Sequence, residues 1–250
     1  MIKEQMSFED ALKMAQQLGY AEQDPTADVE GHDACRKICI LGSLAYGKHI
    51  YPSMVHCSGI RGITLDDVSY AENAGYVIKL IGSVKKLDDG RISAIVCPKL
   101  VPKSTMLSHV DDVYNAISVT GDGVGDVLFY GQGAGKLPTA SAVVGDIIDC
   151  LKHHHTVLAL SWEESSPDDK FVVSYKETDT SMYVRIKAEN AESLKASISE
   201  MFGKLMYIER ANRPDNEIAF ITPNMKESDI DSNLEVLSKS AEIASKIRIY

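Results

Sequence analysis

The region from residue 182 to residue 250 carries the pattern that most restricts how this chain can fold. Apolar runs of strand type and amphipathic runs of helix type alternate there in the order strand, helix, strand, strand, helix, strand. The predicted bounds are 182–188, 191–203, 205–211, 217–222, 226–239 and 241–250. This βαββαβ order is typical of the split βαβ arrangement, in which a four-stranded antiparallel sheet is covered by two helices.

Residues 1–152 carry signals for two strand pairs and four helices, and these do not follow the βαββαβ order. Two long apolar runs flank an Asp-Asp-Gly turn at 88–90 and predict a β-hairpin, and a second strand pair is predicted at 115–120 and 124–130. Helices are predicted at 8–18, 33–47, 66–74 and 138–151. The predicted fold class is therefore α+β: a mixed β-sheet covered by helices in 1–152, a linker at 153–170, and a ferredoxin-like βαββαβ unit at 171–250.

Composition and charge exclude several classes of protein. The formal charge of −10, from 36 acidic and 26 basic residues, argues against nucleic acid as a partner, because such binding depends on lysine and arginine neutralising phosphates. No apolar run approaches the ~20 residues that span a bilayer, and the amino terminus does not resemble a signal peptide. The five scattered cysteines predict reduced core residues in a cytoplasmic protein, and no metal site is predicted.

The segment 19–37, GYAEQDPTADVEGHDACRK, is rich in carboxylates and ends at a lysine on a predicted helix. Asp33 and Lys37 are four residues apart, so both project from one helix face. Such a pair is commonly an exposed ion pair of little consequence. Because the helix continues with mostly apolar residues, Lys37 is also expected to lie at the edge of a buried element, where a lysine partly withdrawn from water can transfer protons.

A glycine-rich segment, GQGAGKLPTASAVVGD at 131–146, joins a predicted strand to a predicted helix. It can serve as a tight turn, or it can let an anionic or nucleotide ligand approach the backbone at the helix amino terminus. It does not match the Gly-x-Gly-x-x-Gly fingerprint of a dinucleotide-binding unit.

Together, the two segments resemble the signatures of the homoserine dehydrogenase family, and the resemblance covers residues 1–152. It implies reduction of L-aspartate 4-semialdehyde to L-homoserine with NADPH or NADH, with Lys37 as the catalytic lysine. The implied substrate-binding residues are Tyr20, Glu22, Asp28 and Asp33. The implied cofactor-binding residues are Gly133, Ala134, Gly135, Pro138 and Thr139. The family's amino-terminal Rossmann domain is not represented here, so the chain alone is expected to have negligible activity.

The region after residue 180 resembles the ACT domain that many bacterial members append. This resemblance implies a threonine effector at the ACT domain and a homodimer. The loop at 188–192 lacks the glycine that many ACT domains carry between the first strand and first helix, although Asn190 could supply a left-handed turn. A purely structural or dimerising ACT domain is the alternative interpretation. The alternative for the whole chain is a non-enzymatic, amino-acid-sensing ACT module with a dimerisation domain.

Overall fold

The computed structural model describes residues 1–2, 4, 6–133, 135–153 and 161–250. Seven α-helices occur in these residues: α1 (Phe8–Gln17), α2 (Thr26–Val29), α3 (His32–Tyr46), α4 (Leu65–Asn73), α5 (Lys136–Lys152), α6 (Lys195–Phe202) and α7 (Glu227–Leu237). Twelve strands occur in the same residues: β1 (His56–Cys57), β2 (Tyr76–Lys86), β3 (Ile92–Pro102), β4 (Tyr114–Gly121), β5 (Gly125–Gln132), β6 (Val172–Val173), β7 (Asp179–Thr180), β8 (Met182–Lys187), β9 (Met206–Ile208), β10 (Glu217–Ile221), β11 (Met225–Lys226) and β12 (Glu242–Ile249).

The predicted hairpin is the centre of the amino-terminal part. Strands β2 and β3 pair antiparallel over their full length, from Tyr76 opposite Pro102 to Lys86 opposite Ile92. Helix α3 packs on one face of this hairpin through a buried cluster that includes Cys35, Cys39 and Val96. Nearly all of β3 is buried, and its alternate residues Ile92, Ala94 and Val96 face this cluster, because successive side chains of a strand point to opposite faces.

The carboxy-terminal part has the predicted βαββαβ order. Its strands lie in the order β12-β8-β10-β9, and neighbouring strands are antiparallel. Helices α6 and α7 cover one face of this sheet, where Ile186, Ile198, Phe220 and Ile230 are buried together. The predicted helix 191–203 begins as a 3-10 turn at Ala191–Leu194, and the predicted strand 205–211 is shortened to β9.

One sheet joins the two parts, whereas the sequence predicted two separate sheets. Strand β12 pairs in parallel with β3, with Arg248 opposite Lys99 and Ile249 opposite Leu100. A core cluster below this junction combines Tyr70 of α4 with Leu100 of β3 and Tyr183 of β8. The result is an eight-stranded mixed sheet flanked by helices, which confirms the α+β class.

The segment from β4 to α5 projects from this body. In the described residues, β4 and β5 pair only with each other, and α5 contains no buried residue. Large apolar side chains are exposed on all three elements, among them Ile117, Phe129, Val143 and Ile147. Several large apolar side chains of this segment are thus in contact with water.

The predicted linker contacts the amino-terminal part near residue 49. The His49 N–H donates to the Glu163 carbonyl at 2.9 Å, the Ser165 hydroxyl donates to the His49 carbonyl at 2.6 Å, and the Trp162 ring meets the His49 ring edge-on. Within the described residues, no helix combines the length and the apolar character needed to cross a bilayer.

Candidate functional site

The predicted catalytic lysine lies on the outer face of α3. Lys37 Nζ is 2.7 Å from Asp33 Oδ2, so the helical spacing forms the expected ion pair. The Lys37 side chain is 68% exposed, and the expectation that it is withdrawn from water is wrong for this chain. The physical reason is that the apolar residues of this face, Ile40, Leu41 and Leu44, are themselves exposed.

The carboxylate-rich loop before α3 is anchored at its end. Val29 is buried, and its carbonyl accepts a hydrogen bond from the Ile60 N–H at 2.9 Å. Glu30 pairs with Arg61 at 2.9 Å. Gly59 approaches this anchor so closely that an added Cβ would lie 2.2 Å from the Val29 carbonyl oxygen. The loop 58–63 therefore fixes the position of residues 29–30.

Tyr20, Glu22 and Asp28 are exposed in this structure. Within the described part of the chain, no ion pair or side-chain hydrogen bond joins them to Lys37. Of the predicted substrate-binding residues, the structure brings Asp33 alone into contact with Lys37.

The glycine-rich segment runs from β5 into α5, as predicted. Gly135 precedes the helix with φ +119°, a conformation that glycine adopts readily, and no side chain caps the helix there. The Thr139 N–H donates to the Gly135 carbonyl, whereas Gly133 packs against the side chain of Asn115. Pro138 lies in the first turn, and the predicted residue Ala134 lies outside the described residues.

A buried charged cluster links α4 to the carboxy-terminal sheet, and the sequence analysis missed it. Arg185 Nε donates to Asp67 Oδ1 at 2.9 Å, and its Nη1 donates to Glu217 Oε2 at 3.0 Å. The Asp67 and Glu217 side chains are fully buried and that of Arg185 is 3% exposed. The available signal was a charged residue in the middle of the apolar strand at 182–187, since a charge is rarely buried without a partner.

Hydrogen bonds determine the charge states in this cluster. Burial alone would raise the pKa of Glu217, but hydrogen bonds from Arg185, Tyr70 and Arg210 outweigh it and hold that pKa below its ordinary value. Burial raises the pKa of the Tyr183 hydroxyl, which donates to Asp67 at 3.0 Å. The cluster therefore holds an ionised glutamate among donors that neutralise it.

The cysteines are free thiols. Burial raises the pKa of Cys39 to about 12 and that of Cys57 to about 11, which makes their thiolates scarce at neutral pH. Cys150 is exposed on α5, so the prediction that the cysteines are core residues is wrong at that position.

Comparison with known proteins gives the same family throughout. The family model described as homoserine dehydrogenase matches residues 1–148. The homoserine dehydrogenase of Neisseria gonorrhoeae is 41% identical over 203 residues, which are 79% of this chain and 46% of the relative. That of Bacillus subtilis is 34% identical over 260 residues, covering 100% of this chain and 60% of the relative.

Solved structures agree with this result. The homoserine dehydrogenase of Thiobacillus denitrificans matches 99% of this chain and 59% of its own with a TM-score of 0.86 and 31% identity. The S. aureus enzyme matches 100% of this chain and 61% of its own with a TM-score of 0.79 and 33% identity. The chain spans about half to three fifths of the length of these proteins, and it belongs to the homoserine dehydrogenase family.

Proposed function

We propose that residues 1–152 form the substrate-binding and catalytic part of a homoserine dehydrogenase, followed by a linker at 153–170 and an ACT domain at 171–250. The complete protein then reduces L-aspartate 4-semialdehyde to L-homoserine with NADPH or NADH. The observation that carries the proposal is the Lys37–Asp33 pair, 2.7 Å apart, on an uncovered face of a helix in the segment that the family model matches.

The residue types fit the chemistry. As hydride reaches the aldehyde carbon, the oxygen gains negative charge and needs a proton, which the Lys37 ammonium donates. Asp33 orients that ammonium. Carboxylates such as Glu22 and Asp33 suit the α-ammonium of the substrate, and Tyr20 and Asp28 line or support the same site.

The exposed face of α3 supports a further step of this proposal. Ile40, Leu41 and Leu44 form an apolar surface beside Lys37, and exposed apolar patches of this kind commonly mark contact surfaces. In the complete protein this surface is covered, and Lys37 is then partly shielded from water.

The glycine-rich segment fits a dinucleotide. Gly133 and Gly135 keep side chains out of the turn, and the N–H groups of Lys136 and Leu137, at the amino terminus of α5 that no side chain caps, are offered to an anion. Pro138 has no N–H and the Thr139 N–H donates to Gly135, so these two residues would contact the cofactor through their side chains. Ala134 belongs to the same proposed contact. A bound nicotinamide cofactor supplies the hydride.

The test is steady-state kinetics of the complete protein with aspartate semialdehyde and NADPH. Lys37→Met should lower kcat at least about 100-fold, because positioned acid catalysis contributes that much or more, and should leave the melting temperature unchanged. Lys13→Met is the matched control, since Lys13 is another exposed lysine on a helix, 3.9 Å from Asp10. Unaltered kcat in Lys37→Met refutes the assignment. The 250 residues alone should show no measurable NADPH oxidation, and measurable turnover would contradict that expectation.

We also propose that the ACT domain regulates the enzyme by binding threonine. The strand order β12-β8-β10-β9, with two helices on one face, supports the ACT assignment. The loop 188–192 has no left-handed turn, because Asn190 has φ −129° and instead caps the following 3-10 turn through the Ser193 N–H. A purely structural ACT domain remains the competing proposal. Titration with threonine separates the two, since inhibition requires an effector site.

A homodimer is the proposed assembly. The exposed apolar residues of the β4–β5 hairpin, such as Ile117, Val119 and Phe129, support it, because a two-stranded sheet alone is only marginally stable in water. Sedimentation velocity on the purified chain is the test: a monomer at micromolar concentration would contradict this assembly.

A further inference from the structure

A cavity of about 410 Å³ lies where the carboxy-terminal unit meets the loop that follows β1. Its wall combines His56, the loop residues Ser58, Gly59, Gly62 and Ile63, and the β12 residues 244–246 and 248. Its size is in the range of small-molecule sites. Its wall includes no residue of the segment 19–37 and none of the loop 188–192.

The cavity is built into the strand pairing. On one edge of β3, the Val96 carbonyl accepts from the Ser58 N–H at 2.8 Å and the Leu100 carbonyl accepts from the Tyr250 N–H at 2.9 Å. Pro98 lies midway between them and faces the same edge, because alternate residues of a strand share an edge. Proline has no N–H, so β1 and β12 can diverge here without leaving a buried donor unpaired.

Strand β12 is also irregular beside the cavity. Its register against β8 shifts between Ile243 and Ser245, which places a bulge at Ala244. Bulges of this kind often occur next to functional sites, where they redirect side chains. Ala244 and Ser245 both line the cavity.

Two cations of the wall are held by carboxylates of α7. Lys246 Nζ is 2.9 Å from Asp231 Oδ1, and Arg248 donates to Glu227. Asp231 and Glu227 are not part of the cavity wall. The lining therefore presents two positive groups, and the carboxylates that balance their charge lie outside the cavity wall. Because both cations are already paired, a doubly charged phosphate gains little net attraction from this lining. A zwitterion, which has one carboxylate and no net charge, matches it better.

We propose that this cavity binds a small L-α-amino acid. Its carboxylate meets Lys246 and Arg248, its ammonium meets the oxygen atoms of Ser58 and Ser245, and its side chain lies against Ile63. The inference deepens the proposed regulation by the ACT domain, on which it rests, and places the effector at β12 instead of at the loop 188–192.

The position of the cavity explains how binding of such a ligand affects the substrate site. Gly59 forms part of the cavity wall and packs directly on Val29 and Glu30, and the Ile60 N–H donates to the Val29 carbonyl. Val29 and Glu30 lie at the end of the carboxylate-rich loop that precedes α3. A ligand that shifts the 58–63 loop therefore shifts the loop that precedes Asp33 and Lys37.

Calorimetric titration of the complete protein is the test, with L-threonine, L-serine and L-valine as probes. Lys246→Met removes a cation, and Gly62→Val adds bulk beside the cavity, where an added Cβ meets no atom within 4 Å. Each should weaken binding at least about tenfold, the order of one charge-assisted hydrogen bond. Lys195→Met is the matched control, because Lys195 pairs with Glu192 at 2.7 Å beside the loop 188–192.

The outcomes separate the possibilities. Loss of binding in both cavity variants, unchanged binding in Lys195→Met, and slower hydrogen exchange at Ile60 on adding ligand support the inference. Loss in Lys195→Met alone places the effector at the loop 188–192 and overturns the inference, while the ACT proposal stands. No binding of any probe by the unaltered protein overturns both the inference and the threonine effector, while dehydrogenase activity tests the catalytic proposal separately.

Discussion

Replacing Arg185 with methionine removes the guanidinium that contacts both Asp67 and Glu217. The substitution keeps an unbranched apolar stem of similar length, so packing around the strand changes little. Asp67 loses its contacts at 2.9 Å and 3.3 Å, and Glu217 loses its contact at 3.0 Å. Both carboxylates remain fully buried.

The expected cost follows from these contacts. Removing one partner of a buried ion pair costs about 3–5 kcal/mol, because the remaining charge cannot be hydrated. Asp67 keeps the hydroxyl of Tyr183, and Glu217 keeps Tyr70 and Arg210, so the lower part of that range is expected. For a chain of this size, each kcal/mol shifts the melting temperature by about 2–4 °C, which predicts a fall of roughly 6–12 °C.

Urea unfolding followed by circular dichroism measures this cost. Asp66→Asn is the matched control: Asp66 is 43% exposed and lies 3.7 Å from Arg185 Nη1, so its loss should cost less than about 1 kcal/mol. A loss below about 1 kcal/mol in Arg185→Met refutes the view that this guanidinium neutralises buried carboxylates.

The same variant changes the response to acid. The folded-state pKa of Glu217 lies below its ordinary value of 4.5, so this group stabilises the fold above that pH, and the contribution is lost as pH falls through the lowered pKa. Without Arg185, that pKa rises and the contribution becomes smaller, although the hydrogen bonds from Tyr70 and Arg210 remain. The unfolding free energy of Arg185→Met should therefore fall less steeply below about pH 4.5 than that of the unaltered protein.

Three further outcomes are expected. Gly59→Ala should destabilise the fold by about 1–3 kcal/mol in urea, because its Cβ would lie 2.2 Å from the Val29 carbonyl oxygen; an unchanged midpoint would contradict that contact. Thr64→Val removes the hydroxyl that caps α4 and should cost about 1 kcal/mol, with Thr64→Ser as the control that retains it. Iodoacetamide at pH 8 should modify the exposed Cys150 before the buried Cys39, as peptide mass mapping would show, because burial raises the pKa of Cys39 to about 12; equal rates of modification would contradict this.

Most secondary structure could be predicted because its signals are local. The hairpin β2–β3 follows from two apolar runs around an Asp-Asp-Gly turn, and α1 begins where Ser7 accepts a hydrogen bond from the Asp10 N–H. The Asp33–Lys37 pair follows from helical spacing alone. Family membership also came from contiguous segments, since both signatures lie within residues 19–37 and 131–146.

The tertiary structure decided which elements meet. Periodicity shows that a strand has an apolar face, but it does not show which strand lies beside it, so the pairing of β12 with β3 was beyond sequence reasoning. The exposure of Lys37 depends on whether α3 is covered, and the burial of Arg185 depends on carboxylates 118 and 32 residues away. The cavity depends on Pro98 standing where two strands diverge. Local sequence thus determined the elements and the chemistry they carry, whereas contacts between distant residues determined charge burial and the shape of the sites.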